Sequence, residues 1–300
     1  MWRFAVAPMV GLTDKHCRFF HRQLTKHATL FTEMIHTSSI IHGDRDRLLS
    51  FSSKEHPIII QLGGGDPLQL AECARIVTQY GYDGINLNCG CPSPRVQAGL
   101  FGINLMLDTK LVTQCIRSMK KATHLPISVK CRIGVDGNDP TQSLPNFISA
   151  VENAGADNII IHARKAILKN TSTRQNRILP KLDYQIVYDM KRQFPDIHMT
   201  INGGISTIDE GTTKHLPIMD GIMLGRASYK HPLILTTVDE KIYGISGIKP
   251  DINAILETMI AYAHKHVERG GKLHHVMRHM LGLFHSVPHA KLLRKALLEL

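Results

Sequence analysis

The sequence predicts an α/β fold, a (β/α)8 TIM barrel followed by a small, all-helical C-terminal domain. Three observations point there. Eight short apolar or β-branched runs alternate with helix-like stretches over roughly the first 230 residues. The runs are nearly continuous in apolar character, as parallel strands buried on both faces require. No Gly-x-Gly-x-x-Gly follows the first run, which counts against an open doubly wound sheet.

The strand runs lie at residues 3–7, 30–34, 57–62, 84–88, 127–132, 158–162, 198–202 and 221–224. Between them, residues 68–80 place Leu70, Cys73, Ala74 and Val77 on one helical face, with Pro67 suited to the first turn. Residues 110–122 do the same with Leu111, Cys115, Ile116 and Met119. A helix over 144–154 ends at Gly155. The expected barrel domain is 1–246 and the helical domain 247–300. In the latter, Pro250-Asp251 opens a helix whose stripe is Ile252, Ile255, Leu256, Met259, Ile260, Ala263 and Val267, ended by Gly270-Gly271. A second helix is expected over 272–285 and a third over 288–300.

A 43% hydrophobic share excludes a disordered chain. No apolar run approaches the ~18 residues of a membrane span, and the start lacks the apolar stretch of a signal peptide. Six cysteines without paired spacing predict reduced thiols and a cytoplasmic protein. The net charge of +11 favours a polyanionic partner. From residue 250 onward seven Lys/Arg face four acids, so the tail shares that excess. His264-x-His266 and His274-His275 have no matching Cys or carboxylate spacing, so no metal is expected. A monomer is favoured.

The most informative stretch is Asn86-Leu87-Asn88-Cys89-Gly90-Cys91-Pro92. A buried strand runs into a Gly/Pro-broken loop, which places Asn88 and Cys91 just past a strand end, where barrels keep their chemistry. Taken alone, the loop fits a buried, inert cysteine in a tight turn equally well. Further along, the seventh strand ends in Asn202-Gly203-Gly204 and the eighth in Gly225-Arg226. Glycine backbone and an Arg fork at those two strand ends suit a phosphate. Gln61, Lys130 and His162 end other strands, with Ala7-Pro8-Met9 after the first. Gln61 suits an amide-like ring edge, and Lys130 suits the negative charge of a reduced flavin.

With these motifs assembled, the chain resembles the tRNA-dihydrouridine synthase family over nearly its whole length, and most the A-type subfamily. Asn-Cys-Gly-Cys-Pro is specific to that family. His162-Ala163-Arg164-Lys165-Ala166 and Arg278-His279-Met280-Leu281-Gly282-Leu283 are similar to the A type. Thr32-Glu33-Met34, Gln61-Leu62-Gly63-Gly64, Val129-Lys130 and Arg132-Ile133-Gly134 match as well. The resemblance implies FMN held by Pro8, Met9, Gln61, Lys130, His162, Asn202, Gly203, Gly204, Gly225 and Arg226. It implies Cys91 as proton donor, Asn88 against the substrate uridine, and NADPH or NADH as reductant. It implies tRNA read by two basic pairs, Arg174 with Arg177 and Lys291 with Arg294. Lys291 stands where the family has Arg and lacks the planar fork. Val10-Gly11-Leu12 stands where the family has Asp-Trp. The implied reaction is reduction of D-loop uridines, at positions 20 and 20a, to 5,6-dihydrouridine. Two rival readings are a flavin-barrel oxidoreductase of a free pyrimidine-like molecule and a catalytically silent tRNA-binding or chaperone protein.

Overall fold

Alternation along each strand decides what the barrel contains. The computed structural model describes residues 2–246 and 250–284. Its strands are β1 (Phe4–Val6), β2 (Leu30–His36), β3 (Ile58–Gly63), β4 (Gly84–Asn88), β5 (Ile127–Arg132), β6 (Asn158–His162), β7 (His198–Asn202) and β8 (Gly221–Leu224). Their order is β1-β8-β7-β6-β5-β4-β3-β2, and β1 pairs β8 in parallel. The ring closes through a bridge between Ala5 and Thr29, where the Val6 N–H donates to the Thr29 carbonyl at 2.9 Å. The predicted strands are therefore present, and with helices between them they form the expected barrel.

One set of strand residues, such as Ile58, Ile60, Leu62, Leu87 and Val129, packs against the surrounding helices in the main core. The alternate set points into the barrel. At its base Ala5, Phe31, Ile59, Ile160 and Met223 form a separate apolar plug. Above the plug the interior turns polar. The Gln61 side-chain NH2 donates to Asn86 Oδ1 at 2.7 Å, and Asn86 donates to Ser128 Oγ at 2.9 Å. These three residues stand opposite one another on β3, β4 and β5. All three are buried, so each needs this partner to offset the loss of water.

The helices start where a capping side chain can reach the free amides. Asp14 caps Lys15–Leu24 by accepting from the amides of His16 and Cys17, and Asp66 caps Pro67–Gln79. The helix expected over 144–154 begins earlier and spans Pro140–Asn153. Asp139 caps it and Pro140 occupies the first turn, while Pro145 forfeits only one backbone bond inside.

In the tail, Ile252–Glu268 forms with Asp251 as its cap, and the chain turns at Gly270, whose φ is +81°. Tyr262 of that helix stacks on Phe19 with centroids 4.1 Å apart. Met259, Ala263, Val276 and Met280 join the same hydrophobic cluster as the barrel helices. The second tail helix is shorter than expected. It is one turn, His274–Met277, followed by a tighter turn at Leu281–Phe284. Gly282 passes against the carbonyls of Tyr229 and Lys230, where a Cβ would come within 3.0 Å of both, so only glycine fits that approach. The third expected helix, with Lys291 and Arg294, lies outside the described residues. No helix among the described residues is long and apolar enough to cross a membrane.

Candidate active site

The strand ends on one rim open onto two adjoining cavities. The smaller, about 520 Å³, is lined by all ten residues expected to hold a cofactor, from Pro8 and Met9 round to Gly225 and Arg226. Asn88, Cys91 and Arg177 line it too. The larger, about 930 Å³, lies between the β2 and β4 ends and the tail, and His275 and Arg278 form part of its wall. Val10, Met34, Cys91 and Thr173 border both cavities.

Cys91 stands out chemically. All six cysteines are free thiols, and five are buried, whereas Cys91 is partly accessible. Burial pushes the Cys89 thiol well up and the Cys131 thiol up to about 12, which keeps both inert. The loop that presents Cys91 is held by Asn88, whose Oδ1 accepts from the amides of Gly90 at 3.2 Å and Cys91 at 3.0 Å. Asn88 Nδ2 in turn donates to Gln61 Oε1 at 2.9 Å. From the other side, Arg132 Nε donates to the Gly90 carbonyl at 2.9 Å.

Charge in the smaller cavity is one-sided. Its lining includes Lys130, Arg132, Arg177, Arg226 and Lys230 and no carboxylate. Lys130 Nζ donates to Asn202 Oδ1 at 3.0 Å, and Asn202 is fixed by donating to the Met223 carbonyl at 2.8 Å. Burial, helped by the nearby Arg132, pushes Lys130 down to about 8. Burial and the cations around it hold His162 well below its usual range, so its imidazole is neutral at pH 7. Gly203 has a φ of +117°, and a Cβ there would sit 2.6 Å from His162 Cδ2, so only glycine lets the ring lie against that turn. Gly225 differs. A Cβ there would meet only Ala7 and Met9, both at 3.7 Å, so its bareness keeps cavity space open instead of relieving a clash.

Arg174 and Arg177 are exposed after β6; Arg177 ends the short turn Gln175–Arg177 and lines the smaller cavity, whereas Arg174 precedes that turn and lines neither cavity. Several groups were not foreseen as site residues. Arg132 braces the Cys91 loop, Thr173 borders both cavities, and Lys230 follows Arg226 by one helical turn, a spacing that could have revealed it. Asp14 is a further one. Its carboxylate caps the first helix and also meets the tail, with His279 Nε2 3.0 Å from Oδ1 and Arg278 donating to Oδ2. Burial would raise this carboxyl, but His279, the Cys17 amide and Arg278 outweigh it and hold it well below the usual range. Among the described residues no group of three or more His, Cys, Asp or Glu is arranged to hold a metal.

Comparison with known proteins gives the site a context. Residues 5–300 match the family described as dihydrouridine synthase (Dus). A tRNA-dihydrouridine(20/20a) synthase of Synechocystis sp. is 47% identical over 293 residues, covering 98% of this chain and 87% of the relative. The protein of that name from Escherichia coli K12 is 47% identical over 298 residues, covering 99% and 86%. That from Shewanella oneidensis is 43% identical over 296 residues, covering 99% and 88%. These matches agree with the A-type resemblance of the motifs. A barrel with Asn-Cys-Gly-Cys-Pro at the rim of a cationic cavity, matched along nearly its full length, belongs to the dihydrouridine synthase family.

Proposed function

We propose that the protein reduces uridines at positions 20 and 20a in the D-loop of tRNA to 5,6-dihydrouridine, with bound FMN and with NADPH or NADH as reductant. The observation that carries this reading is the position of Cys91, the one accessible thiol, on the shared border of a cationic cavity and a larger open one. The smaller cavity suits a flavin with a phosphate. It is about 520 Å³, within the ~300–1,000 Å³ usual for such ligands. Gly225 leaves room where a Cβ would intrude, and five cations face the space with no carboxylate.

Gln61 retains one N–H and one lone pair for the edge of the ring after bonding Asn86 and Asn88. Lys130 has Asn202 as its protein partner and keeps two N–H groups for negative charge on the ring. Gly203, Gly204 and Arg226, which line the same cavity, would hold the phosphate. When bound, FMN supplies the hydride for uracil C6, having taken it from the nicotinamide reductant. Cys91 donates its Sγ proton to C5. Asn88 keeps that thiol in place and has a second N–H for the uracil. A uracil stacked in tRNA is out of reach, so the base is extruded through the larger cavity. Arg174 and Arg177, with Lys291 and Arg294 of a tail domain spanning 247–300, hold the phosphate backbone and set which uridine arrives.

The test is to purify the protein, record its flavin spectrum, and map dihydrouridine in tRNA from cells lacking it. A colourless protein, or tRNA that keeps dihydrouridine at 20 and 20a in such cells, overturns the reading.

A further inference from the structure

Among the described residues, Ser93 is the one Ser, Thr or Asp at a helix N-cap with extended backbone whose side chain does not cap. It occupies the N-cap of Pro94–Ala98, with extended backbone at φ −67° and ψ 146°, yet its side chain makes no cap hydrogen bond. Serine normally spends its hydroxyl there, as Ser52 does at its own helix and Asp14, Asp66 and Asp139 do at theirs. The Ser93 hydroxyl instead lies 3.6 Å from Cys91 Sγ. It also lines the larger cavity and not the smaller one, whereas Cys91 lines both. Ser93 Oγ thus lies within hydrogen-bond reach of a thiol that borders both cavities, on the side of the larger one.

We propose that Ser93 is a proton-relay residue that restores the Cys91 thiol after each turnover; this rests on the reading of Cys91 as the proton donor. Once Sγ has given up its proton it is a thiolate. The Ser93 O–H bond breaks as its proton passes to sulfur, an S–H bond forms, and Oγ takes a proton from a water of the larger cavity. The hydroxide left behind is neutralised by buffer, and nothing is oxidised or reduced. A neutral hydroxyl suits this task because it donates and accepts through one atom. A bound tRNA covers the approach from bulk solvent, and the relay keeps sulfur connected to water.

The experiment separates the first turnover from later ones. FMN-loaded protein is pre-reduced, mixed with tRNA, and followed through the first dihydrouridine and then in steady state with NADPH. In Ser93→Ala the first turnover should keep its rate, since the thiol starts protonated. Steady-state turnover should fall about tenfold or more, a modest part of what proton transfer contributes. Ser93→Thr should restore it, as should imidazole added to the alanine variant. An unchanged steady state, or an equal loss in both phases, overturns the relay. If the alanine variant does not fold, the wild-type rate in mixtures of H2O and D2O decides. A curved dependence, from two protons in flight, supports the relay, and a straight line overturns it. Wild-type first-turnover speed in Cys91→Ala would bring down the role of Cys91 itself.

Discussion

Asn88 holds Cys91 by the backbone, with Oδ1 accepting the Cys91 N–H at 3.0 Å, while the same amide donates to Gln61 at 2.9 Å. One side chain therefore ties the loop that carries the thiol to the wall of the smaller cavity. Asn88→Ala should leave FMN content near normal and reduce kcat by ~10- to 100-fold, because a displacement of about 1 Å at a reacting group costs on that order. Single-turnover kinetics on tRNA checks it. A rate within twofold of wild type would show that the loop holds its position without this amide.

Cys91→Ala should retain FMN and lose dihydrouridine formation by ~100- to 10,000-fold, the usual range for a positioned general acid. Reduction of the flavin by NADPH should persist, since the thiol is not needed for that step. Nucleoside analysis of reacted tRNA beside the flavin absorbance trace separates the two.

Lys130 is pushed down to about 8 by burial and by Arg132. The flavin-free protein should therefore lose this positive charge as pH rises through about 8, and its affinity for FMN should fall above that pH by at most tenfold per unit. Below pH 7 the affinity should be level on this account. Lys130→Met should bind FMN more weakly and without that break. Flavin fluorescence titrations between pH 6 and 9 on both proteins test this, and parallel curves would exclude Lys130 as the origin.

The double variants Arg174→Ala/Arg177→Ala and Lys291→Ala/Arg294→Ala should each weaken tRNA binding and flatten its salt dependence. Two lost phosphate contacts change the logarithmic slope by about 1.5. FMN should stay bound in the first variant, because Lys130, Arg132, Arg226 and Lys230 remain in the cavity and Arg226 meets the backbone carbonyl of Arg177 and not its side chain. Binding measured across a salt series, with slopes equal to wild type for both variants, would remove these residues from recognition.

Asp14→Ala should destabilise the protein by about 3 kcal/mol at pH 7, since it removes a helix cap and leaves Arg278 and His279 without their carboxylate. A carboxyl depressed in the folded state stabilises above its unfolded value near 4, and that contribution is lost as pH falls through the folded value. The gap in stability between wild type and Asp14→Ala should hold from pH 7 to about 5 and narrow on further acidification. Urea denaturation across that range reads it, and a gap that widens in acid would contradict the assignment.

Much of the barrel was legible because each strand is an apolar run bounded by turn residues, and parallel burial leaves that pattern in the chain itself. The site was legible for the same reason. Gln61, Lys130, His162, Asn202 and Arg226 are polar residues at the ends of such runs. What stayed hidden depends on orientation or on distant partners. The helix expected from 144 starts at Pro140, because the Asp139 side chain reaches the Thr141 amide as its cap. The Ser93 hydroxyl looks like a cap in sequence and turns to sulfur in space. The close approach of Gly282 to the carbonyls of Tyr229 and Lys230, about fifty positions upstream, leaves no local pattern either.

The contact of Asp14 with Arg278 and His279 joins positions 264 and 265 residues apart. At ~5–20 residues per second, a ribosome makes Asp14 on the order of 10 to 50 seconds before the residues that complete its contacts. Throughout that interval the first helix has its cap but not its cover, and Phe19 waits for Tyr262. The wall that His275 and Arg278 give to the larger cavity is missing for as long. A nascent chain that has not yet reached the tail therefore lacks that part of the wall, and products truncated before it leave an apolar face open to proteases and chaperones.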